Sequence, residues 1–323
     1  MTLWVRRPEM AEAMRRTSFN PQYLRSLPIP SSVQITSDLE AAASASDLWG
    51  LAIPSQNLRE RADALRPHAH SDVRMVALSK GIENGTLMTM SQVLGDVMEG
   101  VVAPDQVGVL YGPSHAEEVA EGRPTTLVAA APVEGEARRI QQAFMTERLR
   151  VYVNTDVVGV EIGGSAKNVL AIAAGIGDGV GYGDNAKAAL VTRGIAEIRR
   201  LGQALGADAD TFSGLSGIGD LVVTCMSEHS RNRKLGEQIG EGHSLEEVVD
   251  QMEMIAEGVR TTKSLYELAR RHDIEMPITE AVYAVLFEDR RPAEMVKRLM
   301  TRSAKREHWL PDALATPDPA AEG

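Results

Sequence analysis

Residues 161–183 read Glu-Ile-Gly-Gly-Ser-Ala-Lys-Asn-Val-Leu-Ala-Ile-Ala-Ala-Gly-Ile-Gly-Asp-Gly-Val-Gly-Tyr-Gly, and no other segment restricts the fold of this chain so strongly. The run is apolar on nearly every face and made of small residues, so its neighbours must pack close to its backbone inside a core. One lysine, Lys167, stands in it beside Asn168. Taking an ammonium out of water is costly. A buried lysine therefore tends toward a lowered pKa and can act as a proton donor or acceptor. A structural reading stays open on this run alone: Lys167 would extend its stem along an ordinary buried helix and keep its head in water.

The rest of the chain divides near residue 154. Before it, short apolar runs alternate with helical patterns. Strands are predicted at Thr2–Val5, Val33–Thr36, Leu48–Ile53, Arg74–Lys80, Val107–Tyr111, Thr126–Ala131 and Val151–Asn154. Helices are predicted from Asp38, Gln56 and Val133. Such alternation indicates a mostly parallel α/β sheet. From Val157 onward the apolar residues recur with a 3.6-residue period, as in Lys187–Gly206, Asn232–Ile239, Ser244–Met254, Thr262–Arg271 and Pro292–Leu299. The expected organisation is a nucleotide domain over 1–156 and a helical substrate domain over 157–310. A Pro/Ala/Asp-rich tail, 311–323, is expected to be disordered. A length of 323 residues suits two domains.

Charge and cysteine content narrow the function classes. Acidic residues number 45 against 34 basic ones, a net charge of -11. That balance disfavours nucleic acid or an anionic membrane as the main partner. Cys225 is the only cysteine, so an internal disulfide and a cysteine-rich metal site are excluded, which fits a reducing cytoplasm. No stretch reaches about 18 consecutive apolar residues, so membrane insertion is not expected.

Chemistry-bearing residues appear in several further places. Gly219-Asp220-Leu221-Val222-Val223-Thr224-Cys225 precedes Ser230-Arg231-Asn232-Arg233-Lys234. Ser230 is placed to cap a helix. A helix start offers free N–H groups and partial positive charge to an anion, and Arg231 can grip phosphate with two hydrogen bonds. The plain alternative is a capped surface helix with solvated basic residues. Lys80-Gly81 and Gly112-Pro113-Ser114 end two strands, where open α/β sheets bind ligands; strand ends also carry ordinary turn residues. Arg6 and Arg7 end the apparent strand Thr2–Val5; at the end of the second strand of a dinucleotide fold basic residues accommodate a 2′-phosphate, whereas taken alone such a pair is simply solvated.

Taken together, these segments resemble the bacterial type of NAD(P)-dependent glycerol-3-phosphate dehydrogenase, from Leu3 to about Lys305. The most specific parts are Gly163–Val169, Gly219–Cys225 and Ser230–Arg233. The resemblance implies a Rossmann-like α/β domain followed by an all-α domain of the 6-phosphogluconate-dehydrogenase-like type. It implies reduction of dihydroxyacetone phosphate to sn-glycerol 3-phosphate by NADPH or NADH, feeding phospholipid synthesis, and a homodimer formed through the helical half. By position, Lys167 looks like the catalytic acid/base. Lys80, Gly112, Ser114, Lys167, Asp220, Ser230, Arg231 and Asn232 look like substrate ligands. Arg6, Arg7, Lys80, Ala116, Arg231, Ile255 and Glu257 look like cofactor contacts, with Arg6-Arg7 favouring NADPH.

The chain departs from that pattern at its start. The family's strand and Gly-x-Gly-x-x-Gly turn precede the strand ending near Arg7, and no such turn occurs in this sequence. In a sheet ordered 3-2-1-4-5-6 the missing strand is the innermost. Two central strands would then lack a shared partner, at about 1–3 kcal/mol per buried unpaired backbone group. The expectation is a start codon placed too late in a longer reading frame, ahead of a genuinely shortened product. The chain as written is expected to bind NADPH poorly. Two rivals remain at this level: another Rossmann-plus-helical dehydrogenase acting on hydroxyacids, and an inactive binding or dimerisation module.

Overall fold

The computed structural model of the chain describes residues 1–252 and 256–303. Ile255 and the tail 311–323, both singled out above, lie outside the described residues. The first half runs β1 (Thr2–Trp4), α1 (Pro8–Thr17), β2 (Gln34–Thr36), α2 (Leu39–Ala43), β3 (Leu48–Leu51), α3 (Leu58–Leu65) and β4 (Arg74–Ala77). It continues with α4 (Met90–Val97), β5 (Val107–Tyr111), α5 (Ala116–Ala120), β6 (Thr125–Ala130), α6 (Glu134–Phe144) and β7 (Leu149–Asn154). Then come α7 (Val157–Val180), α8 (Gly183–Ala204), α9 (Asp220–Met226), α10 (Arg231–Gly240), α11 (Leu245–Asp250), α12 (Glu257–Arg271), α13 (Pro277–Phe287) and α14 (Pro292–Met300). The strands fall where the alternation put them, although β4 stops at Ala77 rather than at Lys80. The helix expected from Gln56 begins at Leu58, after a short tight turn.

The strands form two sheets. β1 and β2 make a parallel pair of their own, and β3 to β7 form a five-stranded sheet in sequence order. That sheet is parallel except where β5 meets β6. Among the described residues β1 pairs only with β2, and the outer edge of β3 is not bonded to β1. These are the two strands expected to lack a shared partner.

Alternation along β5 joins two cores. Val107, Val109 and Tyr111 pack with Leu58, Met90 and Leu94 of α3 and α4, whereas Leu110 packs with Ala137 and Ile140 of α6. α7 carries the chain out of this region. Its Val160 belongs to the sheet core, and from Ile162 onward its buried side chains belong to the helical core. Asp156 caps α7 by accepting from Gly159 N at 2.8 Å. Among the described residues α7 is the one helix long and apolar enough to cross a membrane, and its apolar stretch is 89% buried inside the protein.

Small residues explain how so long a helix is enclosed. A Cβ on Gly236 of α10 would lie 2.1 Å from the carbonyl oxygen of Ile172 on α7. Only glycine fits there, so α10 rests directly on the backbone of α7. The start of α10, and with it Ser230 and Arg231, is thereby fixed relative to Lys167. Polar contacts also tie α7 and α12 to the α/β half. The Glu161 carboxylate accepts from Thr89 Oγ1 and Ser91 N, Gly81 N donates to Ser165 Oγ, and Ser264 Oγ donates to Ile82 O.

Candidate active site

Lys167 does not snorkel. It sits at mid-length in α7, 8% exposed, one turn after Gly164, where a Cβ would stand 2.8 Å from the Tyr111 ring. The bare backbone lets Tyr111 at the end of β5 press against α7. Lys167 Nζ donates to Asp220 Oδ1 and, at 3.0 Å, to Thr224 Oγ1. Asp220 opens α9 and is fully buried. Its other oxygen, Oδ2, accepts from Lys80 Nζ at 2.6 Å, and Lys80 also donates to Gly112 O at 2.8 Å. Thr224, one turn along α9, donates to Asp220 O at 2.6 Å.

One carboxylate thus serves two ammonium groups, leaving a net positive charge in a largely dry cluster. Burial lowers the Lys167 pKa to about 8. The Asp220 carboxylate opposes that shift, and the Lys80 charge reinforces it. An amine with a pKa near working pH can both give and take a proton. Cys225 lies close by, but burial pushes its thiol up to about 12, so no thiolate nucleophile is present.

The anion-binding candidates lie at the start of α10. Ser230 Oγ accepts from Arg233 N at 3.3 Å, a capping bond. Arg233 itself turns to Asp178 at 2.6 Å. Arg231 is the exposed guanidinium of the first turn. Asn232 is buried, and its Oδ1 accepts from Gly258 N at 2.9 Å. That bond joins α10 to α12 and occupies the oxygen, not the NH₂ group, of Asn232. Ser114, exposed beyond β5, donates to Gly112 O at 3.2 Å.

Of the residues assigned to a dinucleotide, Lys80 lies in the lysine cluster, while Ala116, Arg231 and Glu257 open α5, α10 and α12. Glu257 Oε2 accepts from Ser55 Oγ at 2.6 Å, just past the carboxyl end of β3. Arg6 and Arg7 stand apart, exposed after β1, where Arg7 donates to Gln22 Oε1 at 2.6 Å. The donor set fits a nicotinamide dinucleotide in that cations and polar groups cluster at the carboxyl ends of β3, β4 and β5.

The structure brings Lys80, Gly112, Ser114, Lys167 and Asp220 together, and it places Ser230, Arg231 and Asn232 at the start of α10, the element that packs against α7. Sequence reasoning missed Thr224 as a partner of Lys167. Its spacing of four from Asp220 would have shown it, had that run been read as a helix. Tyr111, whose ring lies 5.7 Å from Lys80 Nζ and whose hydroxyl donates to Ser79 O, was read only as the end of a strand.

Comparison with known proteins gives a consistent result. Residues 1–137 match the model for the NAD-dependent glycerol-3-phosphate dehydrogenase N-terminus, and residues 156–297 match that for its C-terminus. A glycerol-3-phosphate dehydrogenase (NAD(P)+) of Salinibacter ruber is 75% identical over 97% of this chain and 92% of its own length. One from Chlorobium phaeobacteroides is 52% identical over 94% of this chain and 91% of its own length. A crystal structure of glycerol-3-phosphate dehydrogenase from Coxiella burnetii superposes with a TM-score of 0.88 at 35% identity, covering 93% of this chain and 91% of that one.

Proposed function

Because this chain belongs to the NAD-dependent glycerol-3-phosphate dehydrogenase family, we propose that it interconverts dihydroxyacetone phosphate and sn-glycerol 3-phosphate, with NADPH preferred over NADH. The observation that carries the reading is the Asp220 carboxylate shared by Lys167 and Lys80. A reduced nicotinamide, when bound, supplies hydride to the ketone carbon. Lys167 in its ammonium form donates a proton to the ketone oxygen as negative charge grows there. Lys80 adds a second positive charge on the same side. Asp220 holds both amines in place and keeps Lys167 charged against the pull of burial. Thr224 stays within hydrogen-bond distance of the amine once its proton has gone.

The phosphate of the substrate is assigned to the α10 start, with Ser230, Arg231 and the NH₂ group of Asn232. It does not react, but its binding energy holds the ketone near the lysines. The Arg6–Arg7 pair supports NADPH. A single buried cysteine is consistent with a cytoplasmic enzyme, and a homodimer through the helical half is the assembly that goes with this reading.

The test is NADPH oxidation by the purified chain with dihydroxyacetone phosphate, run beside NADH and beside 3-oxo acids. Saturable turnover with dihydroxyacetone phosphate supports the assignment. Turnover of a 3-oxo acid in its place overturns it. Light scattering of the same sample checks the dimer.

A further inference from the structure

His115 follows Ser114 directly and takes no part in the chemistry described above. Its ring is half-buried, and its Nε2 atom is closed off from solvent with no hydrogen-bond partner. Opposite it stands His229, with ring centroids 5.9 Å apart and planes inclined by 54°. The two rings come from different halves of the molecule. His115 belongs to the segment after β5, whereas His229 immediately precedes Ser230 and Arg231. Lys167 is near enough to act on His115 electrostatically. His115 thus lies within electrostatic reach of the buried lysine and in ring contact with the residue that precedes the α10 cap.

We propose that His115 selects for the phosphate group: its Nε2–H donates a hydrogen bond to the phosphate of the bound substrate, opposite Ser230 and Arg231. This rests on the function proposed above. The ketone end is already served by Lys167 and Lys80 through Asp220, whereas His229 ties His115 to the phosphate end. A buried ring nitrogen without a partner is unfavourable in the free protein, and a ligand oxygen relieves it. The charge state suits the role. Burial, then Lys167 and His229, hold the His115 pKa below its usual value, while Glu117 and Glu118 on α5 oppose them weakly. The ring is neutral before substrate arrives and does not repel Lys167. A phosphate dianion favours the protonated ring and so strengthens the bond on binding.

The experiment compares wild type, His115→Phe and His115→Gln in the full chain. It measures turnover of dihydroxyacetone phosphate and of dihydroxyacetone, together with calorimetric binding of sn-glycerol 3-phosphate. Phe keeps a flat ring against His229 but has no donor; Gln restores an N–H donor. Melting temperatures confirm that the variants fold. The proposal expects His115→Phe to weaken sn-glycerol 3-phosphate binding and to raise KM for dihydroxyacetone phosphate by about tenfold to a hundredfold, the range for a hydrogen bond to a charged group. kcat should change less than KM, kcat/KM for dihydroxyacetone should stay near wild type, and His115→Gln should recover part of the loss. Equal losses on both substrates, or none, would overturn the proposal while leaving the proposed function standing. A wild-type chain that neither binds sn-glycerol 3-phosphate nor turns over dihydroxyacetone phosphate would sink both.

Discussion

The helical junction around α7 and the β1–β2 pair are held in opposite ways. From Gly159 to Ile172 every residue of α7 is buried, and α10 lies on its backbone through Gly236. No residue of β1 or β2 is buried. The pair is braced by single bonds, such as Arg15 Nη1 to Ile35 O at 3.1 Å and Trp4 Nε1 to Ser37 O at 3.2 Å. Lys167, proposed as the acid/base, stands on the first scaffold, and the two arginines proposed to favour NADPH follow the second. Proton transfer needs a lowered pKa and sub-ångström placement, which only a dry, rigid core gives. An exposed arginine needs neither to attract a phosphate.

Breaking the rigid side should have the largest consequence. Lys167→Ala is expected to lower kcat for dihydroxyacetone phosphate reduction by at least about a hundredfold, the usual scale of general acid catalysis, with NADPH affinity nearly unchanged. Steady-state kinetics with a cofactor titration checks this, and a loss under about tenfold would remove Lys167 from the role. Next comes the scaffold. Gly236→Val puts side-chain atoms into the α7 backbone and should cost about 1–3 kcal/mol or more of stability. Gly177→Ala, where an added Cβ meets nothing within 4 Å, should be neutral or stabilising by up to about 1 kcal/mol. Thermal melts of the two would test whether close approach, rather than glycine content, holds the junction.

A pH profile sharpens the comparison further. The Lys167 pKa is lowered to about 8 in the folded chain, so reduction, which needs the ammonium, should fall about tenfold per pH unit above that value. Oxidation of sn-glycerol 3-phosphate, which needs the free amine, should rise through the same range. Because folding depresses this pKa from 10.5, burial of the charged lysine costs stability below about pH 8, and that cost fades as pH climbs toward 10.5. A profile with no inflection near 8 would contradict this account of the lysine. The smallest effect is expected in the exposed pair. Leu3→Ala, in a half-buried strand, should cost less than about 1 kcal/mol. Amides of β1 and β2 should exchange with solvent well before those of α7; the reverse order would cancel the contrast.

Much of this was readable from the sequence. Val107–Tyr111 announced itself as a strand through an apolar run ended by Gly-Pro, and Ser230 as a helix cap through the polar step before a periodic stretch. Asp38 and Ser244 were legible as starts for the same reason, since each side chain accepts from a backbone N–H three residues on. Some helices were not: α9 and α13 carry Val, Leu, Ile and Thr residues that suit strands as well, and tertiary burial selects the helix. Strand direction was also hidden, because the reversal of β6 beside β5 leaves no mark in local composition.

The sequence by itself determined which groups were available: one lysine in a small-residue apolar run, a carboxylate in a Gly-Asp-Leu-Val-Val-Thr stretch, a cap with an arginine after it, and a histidine after Gly-Pro-Ser. Those facts follow from local patterning, which is written residue by residue. Only the tertiary structure decided that Asp220 would be shared by Lys167, 53 residues before it, and by Lys80, 140 residues before it. It likewise decided that His115 would meet His229 with a nitrogen left over. Contacts over such separations depend on how α7, α9 and α10 close against the end of β5, and that closure is set by packing of whole elements.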